Sequence, residues 1–337
     1  MTTHEYFMLE ALKLARKAWG QTSPNPLVGA VIVKDGEIIG QGYHHCAGEP
    51  HAEINAIKDA GENAVGADIY VTLEPCSTFG RTPPCTQAII DAGIKRVFVG
   101  SVDPNPSHAG KGLEILEEAG IETQAGIHKI ACDVLNEAFF HWITTGTPFV
   151  ILKMAMTLDG KIATANGQSK WITGPSARAH VQELRKWCDA IMVGGETVRK
   201  DSPGLIVRDV DEWKQPAKLI ASRSMTDNDL LQYFPDGSAK AVSPEGSKGW
   251  QKLMTELGKD NITALLLEGG GELAGNAIEA GIVNKVEFHI AMKILGGKDS
   301  RPVVGGKSPL SLDEAKQLIN YKISITGEDL IVSGYLK

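Results

Sequence analysis

Few features in this chain assign it to a class at a glance, and what it lacks is informative. It has only five cysteines in 337 residues. An odd number in a long chain without an export-type leader argues against a disulfide framework and for a reducing cytoplasm. No excess of positive charge is present: the formal net charge is −7, so the electrostatic footprint of a nucleic-acid binder is missing. No apolar run approaches bilayer length, the longest being segments such as "NITALLLEGGG", which speaks against a membrane span. The N-terminus has no basic stretch followed by an apolar one, and so does not read as a secretory signal. Its apolar residues Met8, Ala11, Leu12, Ala15, Ala18 and Trp19 recur at helical spacing instead, behind a Thr2-x-x-Glu5 capping box. Internal repeats and low-complexity segments are absent too.

What is present is an ordinary globular composition, 42% apolar and 22% charged, at a length that favours two domains. "VGAVIVKDGEIIGQGYH" reads as a hairpin turning at Lys34–Glu37. Helix "HAEINAIKDAG", strand "ADIYVTLEP", helix "CTQAIIDAG" and strand "RVFVGSV" follow, then one more helix–strand pair and the helix "DVLNEAFFHWI". Thr144–Pro148, "TTGTP", has the composition of a connector. A second alternating series runs from "FVILKMAMT" through "SARAHVQELRKWC", "AIMVGG", "AKLIAS", "GWQKLMTELG", "ITALLLEGGG" and "ELAGNAIEAG" to "KVEFHIAMKIL" and a closing hairpin. Residues 209–250 are the least patterned part. Strands alternating with short helices predict α/β layering, in two domains at 1–146 and 147–337.

The first half holds an ordered trio. His51 and Glu53 stand in "PHAE", and Cys76 and Cys85 bracket "LEPCSTFGRTPPC". H-x-E followed by P-C and a second cysteine is the pattern of zinc nucleobase deaminases. A neutral imidazole and two thiolates make three ligands and leave a fourth, open tetrahedral position. Zinc so held acidifies its water, and a carboxylate that is not a ligand must shuttle the protons; Glu53 stands where that group belongs. The helix N-termini expected after Pro50 and Pro84 favour thiolates nearby. Taken singly, a histidine is most often a surface or hydrogen-bonded residue and a cysteine a small core one. A structural zinc completed by Cys46 is the alternative use of the trio. Cys132 and Cys188 read as core residues.

In the second half, "LLLEGGGELAGNAI" passes from a buried strand through Gly269–Gly271 into a helix. Such a turn lets backbone N–H groups approach a phosphate, although it is not G-x-G-x-x-G and is often only a tight turn. A second glycine pair in "MVGGET" ends another strand, favouring a nucleotide cleft at strand carboxyl ends.

"HAEINA", "VTLEPCSTFGRTPPC" and "DPNP", with "LKMAMTLDGKIAT", "GQSKWITG", "VGGETVRKDSPGLIVR", "LEGGGELAG" and "KILGG", together resemble the bifunctional riboflavin-biosynthesis deaminase–reductases over nearly the whole chain. The eight residues between Cys76 and Cys85 depart from the general P-C-x-x-C spacing but match that family. The resemblance implies a cytidine-deaminase-like three-layer α/β/α domain followed by a dihydrofolate-reductase-like α/β domain. It implies one Zn2+ per chain, NADPH, and phosphoribosylaminopyrimidine substrates. By the same resemblance Asn25, His44, Arg81, Asp103 and Asn105 contact the deaminase substrate. Ala155, Trp171, Thr197, Asp201, Ser222 and the loop Gly270, Gly271, Glu272, Leu273, Ala274, Gly275 and Asn276 hold the cofactor. Ser169, Arg185, Leu205, Arg208 and Glu268 hold the reductase substrate. Lys153 and Asp159 match the family without a chemical role that the residues themselves reveal. Ser202, Ala221 and Met292 depart from the family pattern. A homo-oligomer, dimer or tetramer, is the family's habit. The alternative is a zinc deaminase of another nucleotide with a non-catalytic nucleotide-binding second domain.

Overall fold

Helix α1 (Thr3–Ala15) starts at a reciprocal cap. The Glu5 N–H donates to the Thr2 hydroxyl at 3.2 Å, and the Thr2 N–H donates to the Glu5 carboxylate at 2.6 Å. Its apolar stripe, Phe7, Met8, Ala11, Leu12 and Ala15, is buried. The computed structural model describes residues 2–78, 84–105, 109–208, 210 and 213–337. It divides into two units, Met1–Gly146 and Thr147–Lys337.

In the first unit β1 (Gly29–Lys34) and β2 (Glu37–Tyr43) form the expected hairpin. Both turn residues, Asp35 and Gly36, have positive φ, as the favoured two-residue hairpin turn requires. Helix α2 (Ala52–Ala60), β3 (Asp68–Leu73), α3 (Cys85–Asp91), β4 (Arg96–Ser101), α4 (Lys111–Glu118), β5 (Glu122–Ala125), α5 (Lys129–Leu135) and α6 (Glu137–Thr145) follow. The sheet order is β2-β1-β3-β4-β5, with β1 antiparallel to β3 and β3, β4 and β5 mutually parallel. Phe7, Met8, Leu12, Val31, Tyr70, Phe98, Cys132 and Leu135 close one face of it. Ala30, Ile32, Ala52, Ala56, Ile69, Ile89, Val97 and Leu116 close the other. The unit is therefore a three-layer α/β/α sandwich. Gly42 sets how closely α2 lies on the sheet: a Cβ there would stand 2.3 Å from the Ala52 carbonyl oxygen.

One expected helix is two. Asn136 leaves helical geometry (φ −112°, ψ 21°) between α5 and α6. Its buried amide accepts the Leu27 N–H at 2.8 Å and donates to the Leu27 carbonyl at 2.9 Å. The tertiary contact with the segment entering β1 outweighs continuation of the helix. Helix α6 then runs into the expected connector, ending at Thr145 with Gly146 in the left-handed region.

The second unit comprises β6 (Phe149–Thr157), β7 (Lys161–Ala163), α7 (Pro175–Trp187), β8 (Ala190–Gly194), α8 (Gly195–Asp201), β9 (Ala217–Ala221), α9 (Asp227–Leu230), β10 (Ala239–Val242), α10 (Gly246–Lys259), β11 (Ala264–Glu268), α11 (Gly271–Glu279), β12 (Lys285–Ala291), β13 (Arg301–Pro302), β14 (Leu318–Thr326) and β15 (Asp329–Leu336). Its sheet runs β10-β9-β8-β11-β6-β12-β15-β14. It is parallel from β10 to β12, and β15 and β14 add antiparallel at the far edge. Val150, Leu152, Met154, Leu265, Leu267 and Val286 face Trp250, Met254, Leu273 and Ala277 of α10 and α11. The short elements α8, α9, β10 and the β7–β13 ladder were not expected. Each is too short or too polar to carry a period, and partners distant in sequence hold them. No helix among the described residues is long and apolar enough to cross a membrane.

Because Asn136 satisfies both backbone groups of buried Leu27, Asn136→Ala is expected to destabilise the first unit by about 2–4 kcal/mol. The check is a lower urea midpoint for the variant.

Candidate active sites

Two helix N-termini and the end of one strand build the first site. His51 is the N-cap of α2, and Cys85 is the first residue of α3. Pro75 and Cys76 follow directly on β3 and Glu74. His51 Nδ1 lies 3.2 Å from Cys85 Sγ and 3.5 Å from Cys76 Sγ, and the Cys85 N–H donates to Cys76 Sγ at 3.3 Å. Hydrogen bonding from the Cys85 thiol, then from the His51 ring and the Cys85 N–H, brings the Cys76 thiol down to about 4. The same sulfur contact, with burial, drives Cys85 upward. All five cysteines stand free; Cys46 is exposed and outside the trio. One nitrogen and two sulfurs converging within 4.8 Å are a donor set suited to zinc, with room for a fourth ligand.

Glu53 sits in the first turn of α2, 3% exposed. Burial first, then the Cys76 charge, raises its carboxyl to about 7. His44 is buried beside His51, the rings 5.3 Å apart and edge-on. Its Nδ1 lies 3.2 Å from the Pro50 carbonyl, which only accepts, so Nδ1 carries the proton. Burial lowers its pKa, leaving Nε2 free to accept the Asn25 amide at 3.1 Å. Asn25 and His44 are thereby brought together. Arg81 lies outside the described residues.

Glu74 was not singled out from the sequence. It is 6% exposed, and its carboxylate accepts the N–H groups of Asp103, Gly110 and Gly112 at 3.0, 3.0 and 2.8 Å. It therefore caps α4 and ties down the segment carrying Asp103 and Asn105. Asp103 in turn accepts the Asn105 N–H at 2.9 Å. The signal available in the sequence was its place, an acid in "LEPC" at the end of a buried strand.

In the second unit the expected cofactor residues lie at carboxyl ends of parallel strands: Ala155 on β6, Thr197 and Asp201 on α8 after β8, Ser222 after β9 and residues 270–276 after β11. That is where open α/β sheets bind ligands. Thr197 borders the glycine turn; a Cβ on Gly270 would stand 3.6 Å from its hydroxyl. Ser222 stands against Gly195 in the same way, at 2.8 Å. Gly269 and Gly270 have φ of 71° and 73°. Gly271 and Gly275 serve packing: a Cβ would meet the Pro302 and Gly305 carbonyl oxygens at 2.5 and 2.4 Å. Leu273 and Ala274 are buried, while Glu272 and Asn276 are exposed. Trp171 is 62% exposed, with the Arg178 guanidinium 4.6 Å from its ring centre. Ser169 is half-buried, and neighbouring Lys170 donates to the Asp201 carbonyl at 3.2 Å.

Arg185 and Glu268 pair with each other, bidentately, at 2.7 and 2.8 Å. Arg185 also donates to the Ile206 carbonyl at 3.1 Å. Its guanidinium is thus largely committed to protein partners. Leu205 is buried with φ 47°, and Arg208 is exposed. Asp159, left without a role by the sequence, accepts the N–H groups of Leu295 and Gly296 at 3.0 and 2.7 Å, and the Thr157 hydroxyl. These bonds, Thr157 first, hold its carboxyl at about 2. It anchors the "KILGG" loop.

A metal-type trio beside a buried acid in a three-layer sandwich, joined to a parallel sheet with glycine turns at its strand ends, defines a two-unit zinc deaminase coupled to a nucleotide-dependent enzyme. Residues 1–101 match the cytidine and deoxycytidylate deaminase zinc-binding region, and residues 148–332 match the RibD C-terminal domain. The riboflavin biosynthesis protein RibD of Actinobacillus pleuropneumoniae is 44% identical over 98% of this chain and 95% of its own length. That of Escherichia coli is 40% identical over 97% of both chains. The solved structure of RibD from Acinetobacter baumannii superposes with a TM-score of 0.89 at 34% identity, covering 99% of each chain. A diaminohydroxyphosphoribosylaminopyrimidine deaminase/5-amino-6-(5-phosphoribosylamino)uracil reductase from Thermotoga maritima gives 0.88 at 35%, again over 99% of each. The chain belongs to the RibD family of bifunctional riboflavin-biosynthesis proteins, with a zinc deaminase domain and an NADPH-dependent reductase domain.

Replacing Cys76 or Cys85 by alanine is expected to abolish zinc retention, and Cys46→Ala to preserve it, as read by metal analysis of purified protein. Glu74→Gln puts an NH2 group among N–H donors. We expect zinc content to be unchanged and the deaminase KM to rise about tenfold, the equivalent of one lost hydrogen bond.

Proposed function

We infer that the first unit replaces the 2-amino group of 2,5-diamino-6-(5-phosphoribosylamino)pyrimidin-4(3H)-one by oxygen, releasing ammonia. The second unit then reduces the ribosyl group of 5-amino-6-(5-phosphoribosylamino)uracil to ribityl. The observation that carries this reading is the convergence of His51, Cys76 and Cys85 beside buried Glu53. Zinc held by His51, Cys76 and Cys85 would supply a Lewis acid that acidifies water at near-neutral pH. Glu53 is the proton carrier, taking a proton from the attacking water and returning one to the departing amine. Asn25 and His44 orient the pyrimidine, a role supported by the hydrogen bond that links them. Asp103 and Asn105 hold it from the segment Glu74 secures, and Arg81 takes the phosphate.

NADPH, held at the strand ends of the second unit, would supply the hydride that C1′ of the sugar gains as the C1′–O4′ bond opens and O4′ takes a proton. Ala155, Trp171, Thr197, Asp201, Ser222 and residues 270–276 hold the cofactor. Ser169, Arg185, Leu205, Arg208 and Glu268 form the substrate side, where Arg185 acts chiefly by fixing Glu268. The chain works in the cytoplasm as a homo-oligomer without nucleic acid. The exposed Tyr321, Ile323 and Ile325 of edge strand β14 support self-association.

Purified protein given the diaminopyrimidine is expected to release ammonia and, once NADPH is added, to consume it. Failure to oxidise NADPH with the deaminated intermediate supplied directly would favour a non-catalytic second unit. Glu53→Gln is expected to lower ammonia release by about 10²–10⁴-fold. Bound zinc and NADPH oxidation on the deaminated intermediate should persist; retained deamination would remove Glu53 from the mechanism.

A further inference from the structure

Outside the sites above, one cluster of titratable groups is left without an assignment. It lies under α7, on the sheet face opposite α10 and α11. His180 of α7 and Glu287 and His289 of β12 bring donor atoms within 4.8 Å of one another. Glu287 and His289 are buried, and His180 reaches solvent. Three such donors suggest a second cation site, but the geometry is that of hydrogen bonds. His180 Nε2 and His289 Nε2 lie 2.9 and 2.8 Å from the same oxygen, Glu287 Oε1. That is the distance of an N–H donating to a carboxylate. Because a carboxylate only accepts, both Nε2 atoms are the donors in this arrangement. His289 Nδ1 is buried and has no hydrogen-bond partner among the described residues. A ring donating through Nε2 with a bare Nδ1 is neutral, in keeping with the downward shift that burial gives His289.

What the cluster faces is informative. In the parallel register Lys153 of β6 pairs with Glu268 of β11 on one side and Glu287 of β12 on the other. Paired positions on adjacent parallel strands point to the same face about 4.8 Å apart, so the three side chains form one row: carboxylate, ammonium, carboxylate. From α7, Arg185 grips Glu268 and His180 grips Glu287. The titratable and charged groups facing Lys153 are Glu268 from β11, Glu287 and His289 from β12, and Arg185 and His180 from α7. Burial opposes the charge on Glu287, but the bonds from His180 and His289 outweigh it and bring the carboxyl down to about 2. Burial pulls the Lys153 ammonium below the usual lysine range; Glu268 and Glu287 oppose that pull, and Arg185 adds to it. Glu268 is already neutralised by a bidentate arginine. Glu287 supports the Lys153 charge from the other side, adding to the larger contribution of Glu268.

We propose that Glu287, oriented by His180 and His289, is a positioning residue of the reductase that keeps Lys153 charged between the residues expected to hold cofactor and substrate. The inference rests on the reductase reading of this unit, because Lys153 stands on β6 two residues before Ala155, expected at the cofactor, and pairs with Glu268, expected at the substrate.

The test uses the full chain with lysine labelled at Nζ and followed by NMR, the Lys153 signal being assigned by its loss in Lys153→Met. In the cofactor-free wild type Lys153 is expected to be protonated at pH 7.5; a neutral Lys153 there would overturn the proposal, without recourse to a variant. In Glu287→Gln the proton should leave about one pH unit lower, as expected for removal of an opposite charge at this range. The alkaline limb of reductase kcat/KM should move down with it, while ammonia release stays as in the wild type. Glu287→Asp, which keeps the carboxylate, should retain the wild-type limb. A folded Glu287→Gln protein with an unmoved lysine titration and an unmoved limb refutes the role. So does a second equivalent of zinc that is lost in His180→Ala, since the cluster would then be a metal site. A wild type that releases ammonia but oxidises no NADPH would sink the reductase reading alone, and the lysine titration would still decide this one.

Discussion

Most parallel strands in the two sheets hand their chain to a helix, and the first N–H groups of every helix have no partner inside it. Much of the chemistry of this protein is arranged around that constraint. In the first unit, α2 and α3 begin at His51 and next to Pro84, so two metal-type donors sit at positive helix ends that favour thiolate charge. Helix α4 presents the same requirement, and Glu74 meets it with a carboxylate rather than leaving it to water. That cap also fixes the path of residues 103–105. In the second unit β8 and β11 pass into α8 and α11 through glycine pairs, the kind of strand-to-helix turn at which backbone N–H groups can approach a phosphate.

The second sheet pays a different cost, the burial of charge. Beneath α7 a row of Glu268, Lys153 and Glu287 is taken out of water, with Arg185 and two histidines above and beside it. Such groups persist only when their partners are close and directional. Bidentate geometry at Glu268 and a doubly bonded oxygen at Glu287 meet that condition. An apolar row would give a more stable sheet face; a charged one places ionised groups next to the strand ends where ligand is expected. Asp159, by contrast, is exposed and acts through three local hydrogen bonds that tie one loop to another.

Periodicity read the long elements correctly because their burial is one-sided and regular, as in α1 and α10. It joined α5 to α6 because the residue that separates them, Asn136, is diverted by Leu27, more than a hundred residues away in sequence. It passed over β7 and β13 because neither has enough residues to show a period, and each exists by pairing with the other. The metal trio was legible because histidine, two cysteines and a glutamate in that order are rare by chance. Glu74 was not, because an acid beside a cysteine looks the same whether it faces water or three backbone N–H groups.

The sequence by itself determined the α/β class, the candidate metal donors and acid, and the family, since residue types and their order carry that chemistry. Only the tertiary structure decided which groups share charge. That Arg185 is held by Glu268, that Glu74 caps α4, and that Lys153 lies between two carboxylates all follow from strand register and helix placement. Those pairings span residues far apart in the chain, and electrostatic interaction depends on distance in space, for which spacing in sequence is no substitute.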